Sequence, residues 1–299
     1  MTPPSGAPTP RCAVASLRRG DQMAGTAAPA AGFLLIEQPG GWGRQALTSS
    51  RLDPVVGAAV SARAIARGLR VLLIRRPGRS DEPPRRRWAV VFSQAGRELA
   101  WWGNFGSDEE LLGLPLDGSA GVATDDPLFL VCTHGRHDTC CAVEGRPVAA
   151  ALQLLRPDAV WECSHVGGDR FAANVLVLPH GIYYGRVTSA DAQSLVSAHD
   201  RGEVLAPLMR GRCTSLPAAQ AATAHARAAY GDSRIDALTT AGTIHLGGGS
   251  WQVRLRRSPR NLLVTVQASA GPQPGLLTCH AGNVAHPPVF DLVDLVEVD

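Results

Sequence analysis

The sequence contains no lysine; all 29 Lys+Arg residues are arginine. That absence excludes a Schiff-base enzyme, a lysine general base and the Gly-Lys pair of a Walker-type phosphate loop. It accompanies the Ala, Gly, Pro and Arg excess that GC-rich coding produces. An excess of one charge sign is also lacking. With 29 basic and 26 acidic residues the net charge is +3, too even to predict a nucleic-acid or membrane partner. No stretch approaches the ~18 apolar residues of a membrane span. The first 29 residues have no apolar core of a secretory signal and read as a disordered tail, with Met23 as an alternative start to Met1. The expected compartment is therefore a reducing cytoplasm, where seven cysteines do not form a disulfide framework. No Cys-x2–4-Cys zinc-finger pair, internal repeat or coiled coil is visible.

What is present is a sizeable core: 45% hydrophobic and 18% charged residues over 299 positions. At ~100–200 residues per domain, two units or one large one are expected. Strands are predicted at Phe33–Ile36, Val71–Ile74, Trp88–Ser93 and Arg97–Asn104, with a helix from Pro54 to Arg67 stopped by Gly68. The arginine-rich stretch Arg75–Arg87 reads as a solvated loop. A second region opens after Asp125-Asp126-Pro127. Its expected order is a strand Leu128–Val131 running into Cys132, a loop, and a helix Arg146–Leu155. A strand Val160–Cys163 follows, then a hairpin around Pro179-His180-Gly181 and a helix begun by the Thr188-x-x-Asp191 capping pattern. Pro217–Tyr230 reads as a helix, Ser250–Leu255 and Leu262–Gln267 as strands, and the remainder as an irregular tail carrying Cys279 and His280.

Four of the seven cysteines (Cys132, Cys140, Cys141 and Cys163) bunch together, with His134, His137 and His165 interleaved. Thiolates are soft ligands for iron or zinc, and neutral imidazole suits both metals. Two loops, each following a strand, can converge on one site, and Gly135, Gly145, Gly167 and Gly168 let the backbone pass close to it. Eight residues separate Cys132 from Cys141, a wide loop that suits a bulky cluster better than a single ion.

The text Cys132-Thr-His-Gly-x-x-Asp-x-x-Cys141, followed by Ser164-His165-x-Gly-Gly-x-Arg-Phe-Ala, resembles the sucrase/ferredoxin-like family. The likeness is specific over Cys132–Val187. It implies an α/β fold: a thioredoxin-like ferredoxin domain at 125–203, preceded by a smaller α/β region at 30–124 and followed by a helical and stranded extension at 204–299. It further implies a [2Fe–2S] cluster held by two cysteines and two histidines. By position these are Cys132, Cys141 and His165, and the second histidine is replaced by Asp169. A carboxylate is harder than imidazole and uncommon on such clusters. The alternatives are that Asp169 ligates, that Cys163 or Cys140 substitutes, or that the cluster is lost. If Val160–His165 is extended, residues 163 and 165 share a face, so substitution by Cys163 is sterically feasible, with Asp169 the first choice for the fourth place.

The expected function is electron transfer to an unidentified redox partner, with no catalytic residue, nucleic acid or membrane involved. The competing functions are a thioredoxin-like thiol oxidoreductase, for which the usual Cys-x-x-Cys is missing, and a cluster-less binding module. Sugar hydrolysis needs two carboxylates flanking a pocket, and no such pair stands out. Cys140 reads as a buried apolar side chain, His134 and His137 as loop hydrogen-bonders, His180 as exposed, and Cys213 and Cys279 as isolated.

Overall fold

The computed structural model describes residues 10–78 and 85–299. Part of the arginine-rich stretch lies outside them. Of the expected disordered tail, residues 10–29 instead pack on the protein. Helix α1 (Cys12–Arg19) ends at Gly20, whose φ of 69° closes the helix in the left-handed region. It buries Cys12 and Ser16, and it packs on the short turn Asp169–Phe171.

The chain then forms β1 (Gly32–Glu37), α2 (Ala46–Ser49) and α3 (Pro54–Ile65), followed by β2 (Leu69–Arg75), β3 (Arg86–Phe92), β4 (Leu99–Phe105) and β5 (Val122–Thr124). Helix α3 starts where it does because Asp53 accepts the Val55 and Val56 N–H groups and Pro54 fits the first turn. The second region supplies β6 (Leu128–Cys132), α4 (Thr139–Leu155), β7 (Val160–Cys163), β8 (Val175–Leu178), β9 (Ile182–Tyr184) and α5 (Ala192–Asp200). The Thr188–Asp191 capping pattern is present, with the Asp191 carboxylate accepting the Thr188 N–H at 2.8 Å.

These strands, with β10 (Met209–Arg212), form one ten-stranded sheet in the order β10-β9-β8-β6-β7-β2-β1-β3-β4-β5. Its two halves have the same plan. Strands β6 and β7 are parallel and joined through α4, with β8 and β9 added antiparallel beside β6. This is the thioredoxin-like arrangement. Strands β1 and β2 are likewise parallel and joined through α3, with β3 and β4 antiparallel beside β1. The halves meet where β2 pairs antiparallel with β7, in the register Ile74↔Cys163 and Arg75↔Glu162, extended by the Ser164 N–H donating to the Leu73 carbonyl at 2.8 Å. Only the C-terminal ends of these strands overlap, so the loops that follow the parallel strands of both halves gather at the seam.

The C-terminal part contributes α6 (Pro217–Tyr230) and a separate four-stranded antiparallel sheet of β11 (Thr239–Gly247), β12 (Ser250–Arg256), β13 (Asn261–Ala270) and β14 (Pro288–Val298). Alternating residues Val253, Leu255, Leu262, Val264 and Val266 bury one face against the alanine-rich face of α6. The irregular tail expected from the sequence is thus a stranded region interrupted by an irregular segment that carries Cys279. No helix among the described residues is long and apolar enough to cross a membrane.

Candidate metal centre

Strand β6 is fully buried and ends at Cys132, whose N–H donates to the Asn174 carbonyl at 3.0 Å. Helix α4 begins at Thr139, seven residues earlier than the sequence pattern suggests. The Asp138 side chain caps it by accepting the Cys140 N–H at 2.8 Å. Pro147, inside the helix, hides this early start from a propensity reading. Cys140 and Cys141 therefore stand in the first turn of a helix, not in a loop, and about 100° apart around its axis. Cys141 faces Cys132. Gly145 allows this approach, because a Cβ there would stand 2.2 Å from the Cys132 carbonyl oxygen.

The ligand atoms of Cys132, Cys141 and His165 lie within 4.8 Å of one another. Those of His137, His165 and Asp169 form a second, overlapping group. His165 Nδ1 is 2.9 Å from Asp169 Oδ1, Cys141 Sγ is 3.2 Å from the same oxygen, and His137 Nε2 is 3.7 Å from Asp169 Oδ2. The His137 and His165 rings lie 3.7 Å apart. The Nδ1–Oδ1 contact is short but poorly aligned. His165 Nδ1 and Asp169 Oδ2 are therefore buried polar atoms without a hydrogen-bond partner, the condition a bound metal would relieve. Two sulfurs, two imidazoles and one carboxylate thus lie in two overlapping groups joined at His165, and this mixed donor set fits an iron–sulfur cluster.

These groups perturb one another electrostatically. A hydrogen bond from the Cys141 thiol holds Cys132 below the ordinary thiol value against burial, and Cys141 is pushed up by that bond and by burial. Burial lowers His165, but the Asp169 carboxylate and Cys132 outweigh it and leave the ring above its ordinary value. Burial raises Asp169, and the neighbouring His165 and the Cys141 thiol more than offset this.

His134 is otherwise engaged. Its Nε2 meets the Gly43 carbonyl at 2.8 Å, and its Nδ1 accepts the His165 N–H at 3.3 Å. It joins the loops of the two half-sheets, as the loop reading anticipated. Two arginines fix the backbone behind the ligands. Arg70 donates to the Val166 carbonyl at 3.1 Å and the His165 carbonyl at 3.4 Å. The fully buried Arg210 donates to Gly167 O at 2.9 Å and Asn174 Oδ1 at 2.7 Å. Gly168 has φ 77°, and a Cβ there would lie 2.3 Å from the Arg210 guanidinium.

The proposed substitutes fare differently. Strand β7 ends at Cys163, so the extended run that would align it with His165 does not exist. Cys163 belongs to none of the ligand groups found among the described residues, and burial pushes its thiol up. Cys140 faces away, toward Cys12 and Cys279. Cys279 is therefore not isolated, and His180 is half-buried. The sequence offers His137 as a loop hydrogen-bonder that can orient a ligand or stand in for a missing one, and its place beside His165 follows from the loop being folded back by the His137 and Asp138 N–H groups donating to the His134 carbonyl. Arg70 and Arg210 carry no local signal, since their partners, mostly backbone carbonyls, are remote in sequence.

Comparison with known proteins follows this geometry. An 81-residue stretch is 33% identical to Altered inheritance of mitochondria protein 32 of Meyerozyma guilliermondii, spanning 24% of this chain and 29% of that protein. The chain thus matches less than a third of that curated relative's length. The wild-type thioredoxin-like [2Fe-2S] ferredoxin from Aquifex aeolicus is 22% identical, covering 28% of this chain and 94% of its own, with a TM-score of 0.25. A cysteine-to-serine variant of that ferredoxin is 21% identical, covering 28% of this chain and 97% of its own, with the same TM-score of 0.25. The sequence description of sucrase/ferredoxin-like proteins matches residues 23–211, more than half of the chain, and the protein therefore belongs to that family.

Proposed function

We propose that this protein is a one-electron carrier whose [2Fe–2S] cluster is held by Cys132, Cys141, His165 and Asp169. The observation that carries the reading is the convergence of the first three donors from a strand end, a helix start and a loop, with Asp169 against two of them. A bound cluster of this kind would take up and return a single electron, and imidazole ligands raise its potential and couple it to protonation. The chain's residues serve that role in distinct ways. Cys132 and Cys141 are buried and shielded from water, whereas His165 and His137 are half-buried and open onto a groove lined by Arg44, Leu47, Ala58 and Ser61. The imidazole side is therefore the face through which a redox partner protein exchanges the electron. All seven cysteines are free. A thiol oxidoreductase is disfavoured because the Cys132–Cys141 pair is buried and spaced unlike Cys-x-x-Cys.

One observation favours a second ligand set. The His137 ring lies 3.7 Å from that of His165, so His137 can supply the second imidazole that position 169 lacks. Asp169 then orients the histidines as a carboxylate partner.

The test is anaerobic purification with an absorption spectrum and iron and sulfide counts. Cys132→Ser and Cys141→Ser abolish the chromophore, while Cys213→Ser leaves it. Asp169→Ala strips the cluster under the first ligand set, and His137→Ala does so under the second. Asp169→His raises the reduction potential under the first set, because a neutral ring replaces an anion. A chain that stays colourless after reconstitution with iron and sulfide refutes the function.

A further inference from the structure

A second group of soft donors lies on the other side of the α4 N-terminus. Cys12, Cys140, Cys279 and Asp138 place their ligand atoms within 4.8 Å of one another. The three sulfurs form a nearly equilateral triangle: Cys12–Cys140 3.6 Å, Cys140–Cys279 3.4 Å and Cys279–Cys12 3.5 Å. The Asp138 oxygens complete it, 3.6 and 3.7 Å from Cys12 Sγ. These spacings are far longer than the ~2.05 Å of a disulfide. They match a tetrahedron: Zn–S bonds of ~2.3 Å give sulfur–sulfur edges of ~3.8 Å, and a Zn–O bond of ~2.0 Å gives a sulfur–oxygen edge of ~3.5 Å.

The surroundings suit a cation. Asp138 is fully buried, and among the described residues no arginine or histidine forms an ion pair with it. Its oxygens accept the Cys140 N–H at 2.8 Å and the Cys279 N–H at 2.6 Å, which fixes the carboxylate in place. Cys12 is the first residue of α1 and Cys140 the second of α4. Cys12 and Cys140 are buried and only Cys279 is partly exposed, so no open position is left for a substrate.

We propose that Cys12, Cys140, Cys279 and Asp138 form a structural zinc site. One Zn2+ displaces the thiol protons, is held by three thiolates and a carboxylate, and pins α1 and the segment between β13 and β14 to the start of α4. Its ligands span 267 residues of sequence. Cys140 holds this ion while its neighbour Cys141 faces the site of Cys132 and His165. The inference stands whether or not that first site carries a cluster.

The experiment is metal analysis of the full chain expressed with zinc, alone and with Cys132→Ser/Cys141→Ser to empty the first site. One zinc per chain is expected in both. Cys279→Ser, a change at a partly exposed position outside helix and sheet, should remove the zinc and leave the iron count unaltered. Cobalt added to the zinc-depleted Cys132→Ser/Cys141→Ser protein should give the intense visible bands of a tetrahedral thiolate complex, changed by Asp138→Asn. A Cys132→Ser/Cys141→Ser protein that folds and takes up neither metal overturns the site. So does a Cys279→Ser protein that keeps its full zinc, or a disulfide among Cys12, Cys140 and Cys279 in anaerobically purified wild type.

Discussion

Replacing Arg210 by methionine should cost the protein a large part of its stability and loosen the metal centre. The guanidinium is fully buried and donates to four acceptors: Thr26 Oγ1 at 3.1 Å, Thr26 O at 2.5 Å, Gly167 O at 2.9 Å and Asn174 Oδ1 at 2.7 Å. Hydrogen bonds from a charged donor contribute about 1.5–3 kcal/mol each, so the gross contribution is about 6–12 kcal/mol. Burial opposes it. It draws the guanidinium down from its ordinary value to about 10, which corresponds to a cost on the order of 3 kcal/mol. Methionine refills much of the volume but leaves four buried acceptors without a donor. The expected net loss is about 3–5 kcal/mol, the range seen when one partner of a buried charged network is removed. Against a total of about 5–15 kcal/mol this is severe. Urea unfolding of the full chain measures the loss. Because two of the acceptors flank the Gly167–Gly168 turn between His165 and Asp169, the iron count of the surviving folded protein should also fall. A stability change under about 1 kcal/mol, with iron retained, would refute the reasoning, since it would mean the acceptors are satisfied without Arg210.

Gly168→Ala tests the same turn from the other side: the left-handed φ and the clash with the guanidinium should destabilise by about 1–3 kcal/mol, read in the same urea titration. A pH effect is expected from the half-buried pair His180 and His199, whose rings lie 5.2 Å apart. Burial, helped by the charge of His180 and opposed by Asp200, holds His199 down at about 4, and burial and Arg212, opposed by Glu98, lower His180. The unfolded chain takes up these protons near pH ~6.5 and the folded one only lower, so stability falls as pH drops from about 6.5 toward 4. Allowing for partial exposure, His199 accounts for about 1–2 kcal/mol of this. His199→Gln should flatten that part of the curve, and an unchanged slope would remove His199 as its source.

The sequence alone makes much of the local structure legible, though not α1, β14 or the start of α4. Buried apolar runs such as Phe33–Ile36 and Leu128–Val131 specify strands, because no other element hides an uninterrupted short run between breakers. Pro217 and Gly231 bracket α6 for equally local reasons. Cys132, Cys141 and His165 stand out through the resemblance to the sucrase/ferredoxin-like family, whose motif lies within one supersecondary unit; their spacing by itself points only to a metal site. Tertiary structure alone decided the rest. The ten-stranded sheet depends on a pairing between β2 and β7 too short to leave a pattern in either strand. The shared plan of its halves lies in strand order, to which composition is blind. The place of His137 against His165 exists only because the loop folds back through the His134 carbonyl. Cys12, Asp138, Cys140 and Cys279 have no common spacing, since α1 and the segment after β13 reach α4 from opposite ends of the chain. A donor set closed by long-range packing has no sequence signature; it exists only when the surfaces that carry it have met.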